Sequence, residues 1–230
     1  MCGIIGIQNN SEAAMLAYMG LYAQQHRGQE GAGIVSSDGV HLHRHMGQGL
    51  VADVFSDPNV FNGLTGNSAI GHVRYSTTGH SDKKNVGPLT FNMGDYYLSI
   101  AHNGNLVNIE DLRVNLQEEG ALFQTSTDTE IIIHLIAREK GNNLAEKVER
   151  ALQKIEGAYS LLLLSPNEII AARDPHGIRP FCMGKLQDTV VFASETCALD
   201  LLGAEYLRDV QPGEMIVASD EGFYSKTIIA

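Results

Sequence analysis

The order of strand-like and helix-like segments constrains the fold of this chain more than any other feature of its sequence. Strand patterns occupy both ends of the chain, whereas amphipathic helix patterns are grouped near residues 109–119, 127–140 and 143–155. A doubly wound parallel sheet would require strands and helices to alternate strictly. We therefore predict an α+β fold with helices packed on sheets, in which 230 residues allow one sizeable core or two small domains.

The individual elements follow from apolar periodicity and from cap and turn residues. Ser11 is predicted to cap a helix that ends near Gln25, with Gly28 as its C′ residue. Asp38-Gly39 predicts a hairpin, and Thr127 and Glu130 match a capping box. The predicted strands are residues 3–8, 31–38, 40–47, 68–75, 96–103, 158–165, 168–174, 181–186, 189–195, 214–219 and 223–229, and short helices are predicted near 51–64 and 197–203.

Charge and apolar content exclude several classes of protein. Lys plus Arg number 16 against 27 Asp plus Glu, a net charge of −11, which argues against binding nucleic acid through a basic face. The longest apolar stretch, at 158–164, is far shorter than the roughly 20 residues of a membrane helix. The start of the chain lacks a signal-peptide pattern, and three scattered cysteines fit a reducing compartment. We expect a cytoplasmic protein that contacts neither membrane nor nucleic acid.

Cys2 is the first candidate for chemistry. If Met1 is removed, the α-amine of Cys2 becomes free, and an α-amine with a pKa of about 7.7–8.0 suits a general base at neutral pH. One residue would then supply both a nucleophilic thiol and its base. Taken alone, a Met-Cys-Gly-Ile start is more often a small buried residue that opens a strand. The functional interpretation therefore depends on the residues that accompany Cys2.

Asn103-Gly104 is the second candidate. Asn-Gly is a common tight-turn dipeptide, and in isolation the turn interpretation is favoured. Here a helical pattern follows it instead of a partner strand. A strand end that carries an Asn amide and a Gly N–H could direct two hydrogen-bond donors at a developing oxyanion.

Arg74 and Asp128 could bind a free amino acid. Arg74 closes a predicted strand, and Asp128 lies in the first turn of a predicted helix. An arginine can hold an α-carboxylate bidentately, and an aspartate can hold an α-ammonium. In isolation, a surface arginine and an aspartate that stabilises a helix dipole are the more common interpretations. The histidines of HLHRH (41–45) fit a solvated strand face better than a metal site, and we expect no metal.

Several motifs together resemble a known family. In chain order they are Cys2-Gly3-Ile4, QHRGQEGAGI at 25–34, GHVRYSTTG at 71–79, AHNGN at 101–105 and TDTE at 127–130. This set resembles the class II glutamine amidotransferase domain of the N-terminal nucleophile hydrolases. The segments RDPHGIRP (173–180), ASETCALDLLG (193–203) and LRDVQPGE (207–214) are similar to those of the amidophosphoribosyltransferases of purine synthesis.

The resemblance implies a four-layer αββα sandwich over residues 1–230 and a role for each matching residue. Cys2 would be the nucleophile, with Asn103 and the Gly104 amide as the oxyanion hole. Arg74 and Asp128 would bind the α-carboxylate and α-amine of glutamine. The remaining implied assignments are Thr77 as part of a covering loop and Arg27 and Gly28 as supports of the pocket floor.

The resemblance also implies a partner. Relatives carry a phosphoribosyltransferase half with an acidic pair and a phosphate-binding loop, and no such pattern follows residue 150. We expect a separate phosphoribosyltransferase domain or subunit to receive the ammonia, with Mg²⁺ needed only there and no cofactor in this chain. Two alternatives remain: the glutaminase domain of another class II enzyme, and a non-catalytic module that retains the fold.

Overall fold

The computed structural model describes residues 1–75 and 83–228, which form two antiparallel sheets and the helices that cover them. The strands are β1 Gly3–Gln8, β2 Gly31–Ser37, β3 Leu42–Gln48, β4 Ser68–Arg74, β5 Leu89–Asn92, β6 Tyr97–Leu106, β7 Gly157–Leu164, β8 Glu168–Arg173, β9 Cys182–Leu186, β10 Thr189–Ala193, β11 Glu205–Asp209, β12 Glu214–Ser219 and β13 Gly222–Thr227. The helices are α1 Ala13–Ala23, α2 Val51–Val54, α3 Ile109–Glu118, α4 Thr129–Arg138, α5 Leu144–Leu152 and α6 Thr196–Leu202. Short 3-10 turns lie at Gln25–Arg27, Pro58–Gly63 and Lys83–Asn85.

β1 is the central strand of the first sheet. The first sheet has seven strands in the order β11-β9-β10-β1-β4-β2-β3, and the second has six in the order β13-β12-β8-β7-β6-β5. In the first sheet, β1 pairs with β4 on one side, where Gly3 lies opposite Val73, and with β10 on the other. The start of β1 and the end of β4 therefore lie at the same end of the sheet.

Three apolar layers hold the two sheets and the helices together. Alternate residues of β1 divide between two of them, because successive side chains of a strand point to opposite faces. Ile5 and Ile7 pack with α1, whereas Ile4 packs between the sheets with Leu162 of β7. A third layer joins the second sheet to α3, α4 and α5. This order of helix, sheet, sheet and helix confirms the predicted α+β, four-layer αββα sandwich.

Local sequence signals predicted most elements, but the residues predicted to end α1 are wrong at both ends. The predicted hairpin at Asp38-Gly39 is confirmed between β2 and β3, with Gly39 at a φ of 90°. Ser11 does not cap α1, which begins at Ala13 after Glu12. The N–H of Glu12 donates to Asn10 Oδ1 instead. The prediction of Gly28 as a C′ residue is also wrong, because its backbone is extended, with a φ of −166°.

The capping box that was predicted at Thr127 and Glu130 does not form. Asp128 is the residue that precedes α4, and no side chain caps this helix. The Glu130 carboxylate instead accepts the backbone N–H groups of Gln124 (2.8 Å) and Thr125 (2.7 Å) in the preceding loop. Glu130 thus fixes the loop that leads into α4.

No helix within the described parts of the chain is long and apolar enough to cross a membrane.

Candidate active site

A cavity of about 120 Å³ opens where β1 begins and β4 ends. It is lined by side chains and backbone from β4, β6, the start of α4 and the residue before β1. Four of the residues that the sequence singled out line it together: Cys2, Arg74, Gly104 and Asp128. Since these residues are up to 126 positions apart in the chain, their convergence is a product of the fold.

Cys2 is held at the cavity by the strand that it precedes. Its Sγ lies 3.7 Å from the carbonyl oxygen of Tyr75, to which the thiol donates. Gly3 permits this packing, because a Cβ there would lie 2.9 Å from Val73 Cγ2 and 3.2 Å from Gln24 Cβ. The thiol is partly exposed, as a nucleophile must be.

Asn103 and Arg27 lie behind Cys2 and support its backbone. Both side chains are buried, with 1% of Asn103 and 5% of Arg27 exposed. Arg27 Nε donates to the carbonyl oxygen of Cys2 at 2.9 Å. In the amide orientation that satisfies both of its atoms, Asn103 donates to the same carbonyl at 3.1 Å and accepts from Arg27 Nη2 at 3.2 Å. An amide nitrogen has two hydrogens, so one remains for a further acceptor.

The N–H of Gly104 points away from the neighbouring strand β7. Gly104 lies opposite Tyr159 in the β6–β7 register, and both main-chain groups of Tyr159 bond to Asp174 on its other side. Residues directly opposite in an antiparallel pair either exchange both bonds or exchange neither. Gly104 therefore directs its N–H to the same edge of β6 as Leu106, whose N–H donates to Asp128 at 3.1 Å.

Gly104 also leaves no space for a side chain. A Cβ there would lie 2.1 Å from the carbonyl oxygen of Ala158, 2.5 Å from His102 Nε2 and 2.8 Å from Tyr159 Cα. These contacts are far below van der Waals distance and two of them involve backbone. Glycine is required at this position because β6 and β7 approach closely here.

Arg74 is fixed by its backbone and by its guanidinium. The side chain is largely buried, Nη1 donates to the carbonyl oxygen of Asn85, and Nε lies 3.9 Å from the carboxylate of Glu30. A guanidinium has five N–H donors, so it can hold the Asn85 carbonyl and a second acceptor at once. Gly28 packs on the backbone of Arg74, and a Cβ there would lie 2.6 Å from both its carbonyl carbon and its oxygen.

Asp128 is paired with a buried histidine that sequence reasoning did not single out. His102 Nδ1 lies 3.4 Å from Asp128 Oδ1 and 3.3 Å from the Thr129 hydroxyl. Burial lowers the pKa of His102, but attraction to the Asp128 carboxylate outweighs it and raises that pKa above its ordinary value. Burial raises the pKa of Asp128, but His102 and the N–H of Leu106 bring that pKa below its ordinary value. Asp128 is therefore an ionised carboxylate at neutral pH.

A second buried histidine lines the same cavity. Burial, together with the charges of Arg74 and His102, lowers the pKa of His72 to about 3. His72 is consequently neutral beside the site. A Cβ on Gly87 would lie 3.0 Å from His72 Nδ1, which shows how closely the loop before β5 covers the ring.

The structure thus gathers most of the predicted site residues, but only some of them line the cavity. Cys2, Arg74, Gly104 and Asp128 line the cavity, whereas Asn103, Arg27 and Gly28 support it from behind, and Thr77 lies outside the described residues. Sequence reasoning missed His72, His102 and Asn85, which line the cavity, and Glu195, whose carboxylate accepts from Arg27 Nη1. Three of these lie inside motifs that were recognised, GHVRY, AHNGN and ASETCA, and membership of those motifs was the available signal.

Among the described residues, no cluster of three or more His, Cys, Asp or Glu side chains is arranged to hold a metal ion. In the HLHRH segment, His43 instead pairs with Asp38 at 2.8 Å on the exposed side of β3.

Comparison with known proteins identifies the family of this domain. A family model described as a glutamine amidotransferase domain matches residues 72–201, which is more than half of the chain. The chain is 47% identical over 226 residues to an amidophosphoribosyltransferase of Bacillus subtilis and 50% identical over 224 residues to amidophosphoribosyltransferase 2, chloroplastic, of Arabidopsis thaliana. These alignments cover 98% and 96% of this chain but 47% and 40% of the relatives. The chain therefore spans about half the length of the relatives that it matches.

Solved structures give the same result. The fold superposes with a TM-score of 0.94 on the glutamine phosphoribosylpyrophosphate amidotransferase of B. subtilis in complex with ADP and GMP, at 46% identity over 99% of this chain and 49% of that one. An allosteric regulatory enzyme of purine biosynthesis matches with a TM-score of 0.96 and 46% identity, over the same shares of both chains. A protein described as a glutamine aminotransferase class-II domain protein, from Silicibacter pomeroyi, shares the fold, with a TM-score of 0.68 at 15% identity. This chain belongs to the glutamine amidotransferase domain family.

Proposed function

We propose that this chain hydrolyses the side-chain amide of glutamine to glutamate and ammonia, as the ammonia-producing half of an amidophosphoribosyltransferase. The observation that carries the proposal is the cavity that the Cys2 thiol shares with the Gly104 amide, Arg74 and Asp128. It contains the nucleophile, an oxyanion donor and both charges that a free α-amino acid requires. The names of the relatives supply the amidophosphoribosyltransferase part.

The reaction would require that Met1 has first been removed. Met1 is 50% exposed, and the small side chain of Cys2 permits its removal. The freed α-amine of Cys2 then serves as the general base for its own thiol. The thiolate attacks the amide carbon of glutamine, and the tetrahedral oxyanion accepts hydrogen bonds from the Gly104 N–H and the Asn103 amide. The C–N bond breaks with proton transfer to ammonia, and water hydrolyses the resulting thioester to glutamate.

Substrate selection would depend on the two charges in the cavity. Arg74 binds the α-carboxylate, and the ionised Asp128 binds the α-ammonium, with free lone pairs remaining beside its bonds to His102 and Leu106. Asparagine has one methylene fewer, so its amide would not reach Cys2 when both of its charged groups are bound. Thr77 is retained as a proposed covering residue from the loop after Arg74.

The ammonia acceptor would be a phosphoribosyltransferase half that is not contained in residues 1–230. We expect Mg²⁺ to be needed by that half and not by glutamine hydrolysis. Coupled transfer of glutamine nitrogen to phosphoribosyl pyrophosphate, obtained only when such a half is added, would support this acceptor. Product formation by the chain alone would contradict the division of labour.

The test is an intact-mass measurement on the purified chain, before and after reaction with 6-diazo-5-oxo-norleucine, with glutamate release assayed in parallel. We expect a mass that lacks Met1, one adduct on Cys2 and steady glutamate production. A Cys2→Ala variant should lose both the adduct and the activity, whereas a Cys197→Ala variant should keep both. Processed chain that neither reacts nor hydrolyses glutamine would refute the proposal and favour a non-catalytic module.

A further inference from the structure

The carboxylate of Glu195 is the outermost member of a hydrogen-bonded chain that ends at the proposed nucleophile. Arg27 Nη1 donates to Glu195 Oε1, and the same guanidinium donates through Nε to the Cys2 carbonyl at 2.9 Å and through Nη2 to Asn103 at 3.2 Å. The three nitrogens of Arg27 thus have three different acceptors. Of these three acceptors, only Glu195 is a charged side chain.

Glu195 is itself rigidly placed by the central strand. The preceding residue, Ser194, donates its N–H to the carbonyl oxygen of Ile4 at 3.0 Å, and its hydroxyl accepts the N–H of Ile4 at the same distance. α6 begins immediately after Glu195, at Thr196. The backbone next to Glu195 is therefore held against β1, the strand that follows Cys2.

Burial and charge agree with an ionised Glu195 that serves Arg27. The Arg27 side chain is 3% exposed and that of Glu195 is 33% exposed, so the cation is buried and its partner faces the surface. The other carboxylate oxygen accepts from His26, which is 58% exposed, at 2.9 Å. Burial raises the pKa of Glu195, but the bonds to Arg27 and His26 outweigh it and hold that pKa below its ordinary value.

We propose that Glu195 is a positioning residue for glutamine hydrolysis. It fixes the guanidinium of Arg27, and Arg27 in turn fixes the Asn103 amide and the carbonyl of Cys2. Glu195 does not line the cavity, so it acts on the reaction only through these groups. The inference rests on the proposed glutaminase function and extends it to the ASETCA segment, which that function did not use.

The alternative is that the pair only stabilises the fold. A buried ion pair is weak support for a stabilising role by itself, because desolvation offsets much of the attraction. The two roles predict different results, since a positioning role acts on kcat through Arg27, whereas a stabilising role acts on the melting temperature. Arg74 and Asp128 are separate from the chain of bonds, so the KM for glutamine should not follow kcat.

The experiment compares Glu195→Gln, Arg27→Met and the double variant with the parent, by glutamate release and by thermal unfolding. We expect Glu195→Gln to lower kcat by about 10- to 100-fold, because a displacement of about 1 Å in a catalytic group costs about 100-fold. The KM for glutamine should stay within about twofold of the parent value, because the proposed substrate contacts of Arg74 and Asp128 are unchanged. In the Arg27→Met background, Glu195→Gln should cause no further loss, because residues that act as one unit are not additive.

Controls separate positioning from charge and from folding. Glu221→Gln removes an exposed carboxylate elsewhere and should leave kcat unchanged. Glu195→Asp keeps the charge but shortens its reach, so it should lie between the parent and Glu195→Gln, and it provides the test if the glutamine variant does not fold. Parental kcat in Glu195→Gln or Glu195→Asp, or losses that add fully in the double variant, would overturn the inference alone. A parent chain that carries no glutaminase activity would overturn the proposed function as well.

Discussion

Gly104 offers the sharpest single test of the proposed oxyanion hole, because its Cα has no space for even one methyl group. A Cβ added there would lie 2.1 Å from the carbonyl oxygen of Ala158, and the strands must separate by about 0.9 Å to reach the 3.0 Å limit of real contacts. The N–H of Gly104 would move with its Cα. Gly104→Ala therefore displaces the donor without changing its chemistry.

The expected loss follows from the size of that displacement. A shift of about 1 Å in a catalytic group costs about 100-fold in rate, which corresponds to about 2.7 kcal/mol of transition-state stabilisation. This agrees with the loss of about 10²- to 10³-fold that removal of one oxyanion donor causes. We expect kcat for glutamine hydrolysis to fall by about 100-fold in Gly104→Ala.

The assay measures glutamate release together with the rate at which iodoacetamide alkylates Cys2. Alkylation requires the thiol but no oxyanion donor, so its rate should be close to that of the parent if the site remains folded. Gly63→Ala is the matched control, because a Cβ at Gly63 meets no atom within 4 Å. Parental kcat in Gly104→Ala would refute the assignment of the Gly104 amide, and loss of alkylation in parallel with kcat would refute the claim that only the donor moved.

Two further predictions concern Arg74 and His72, which both line the cavity. Arg74→Gln should raise the KM for glutamine by about 10- to 100-fold, since a hydrogen bond to a charged group contributes about 1.5–3 kcal/mol. Arg44→Gln, which changes an exposed arginine, should leave the KM unchanged. An unchanged KM in Arg74→Gln would contradict the proposal that Arg74 binds the α-carboxylate. The pKa of His72 is about 3 in the folded state against an ordinary 6.5, so between these pH values the imidazole is protonated only in the unfolded chain. As the pH falls through this range, His72 therefore lowers the free energy of unfolding by about 1.4 kcal/mol per pH unit. Urea unfolding between pH 7 and pH 4 should therefore show a shallower pH dependence for His72→Gln than for the parent, and identical slopes would contradict a buried neutral imidazole.

Local patterns predicted the architecture because each layer of the sandwich has its own periodicity. The strands of the two sheets and the helices α3, α4 and α5 carry enough apolar residues to be recognised without tertiary information. β5 and β11 were missed because they are short edge strands with few buried side chains.

Tertiary contacts overrode local propensity where the site is built. Asn103-Gly104 is a turn dipeptide by local preference, yet pairing with β7 keeps it within a strand. Gly28 looked like a helix C′ residue, but the close approach of its Cα to the Arg74 backbone is what requires glycine. Both glycines were recognised as special, and only the folded chain reveals the neighbour that makes them so.

Three residues that line the cavity were predictable from their residue type. A cysteine beside a chain terminus, an arginine and an aspartate have few chemical roles in a cavity, and all three line it. His102, His72 and Glu195 were missed because each of them packs against a residue that is distant in the sequence. Sequence spacing contains no information about the 3.4 Å approach of His102 to Asp128.

The central place of β1 in its sheet has a consequence for how this protein should be handled and probed. Chain termini are usually the first segments to fray, but here the backbone is clamped from Gly3 onward between β4 and β10. Amide hydrogens of β1 should therefore exchange with solvent only when the whole domain opens, at rates set by global stability. An affinity tag joined ahead of Cys2 would emerge beside the cavity and would leave no free α-amine, so a purification handle belongs at the other end of the polypeptide.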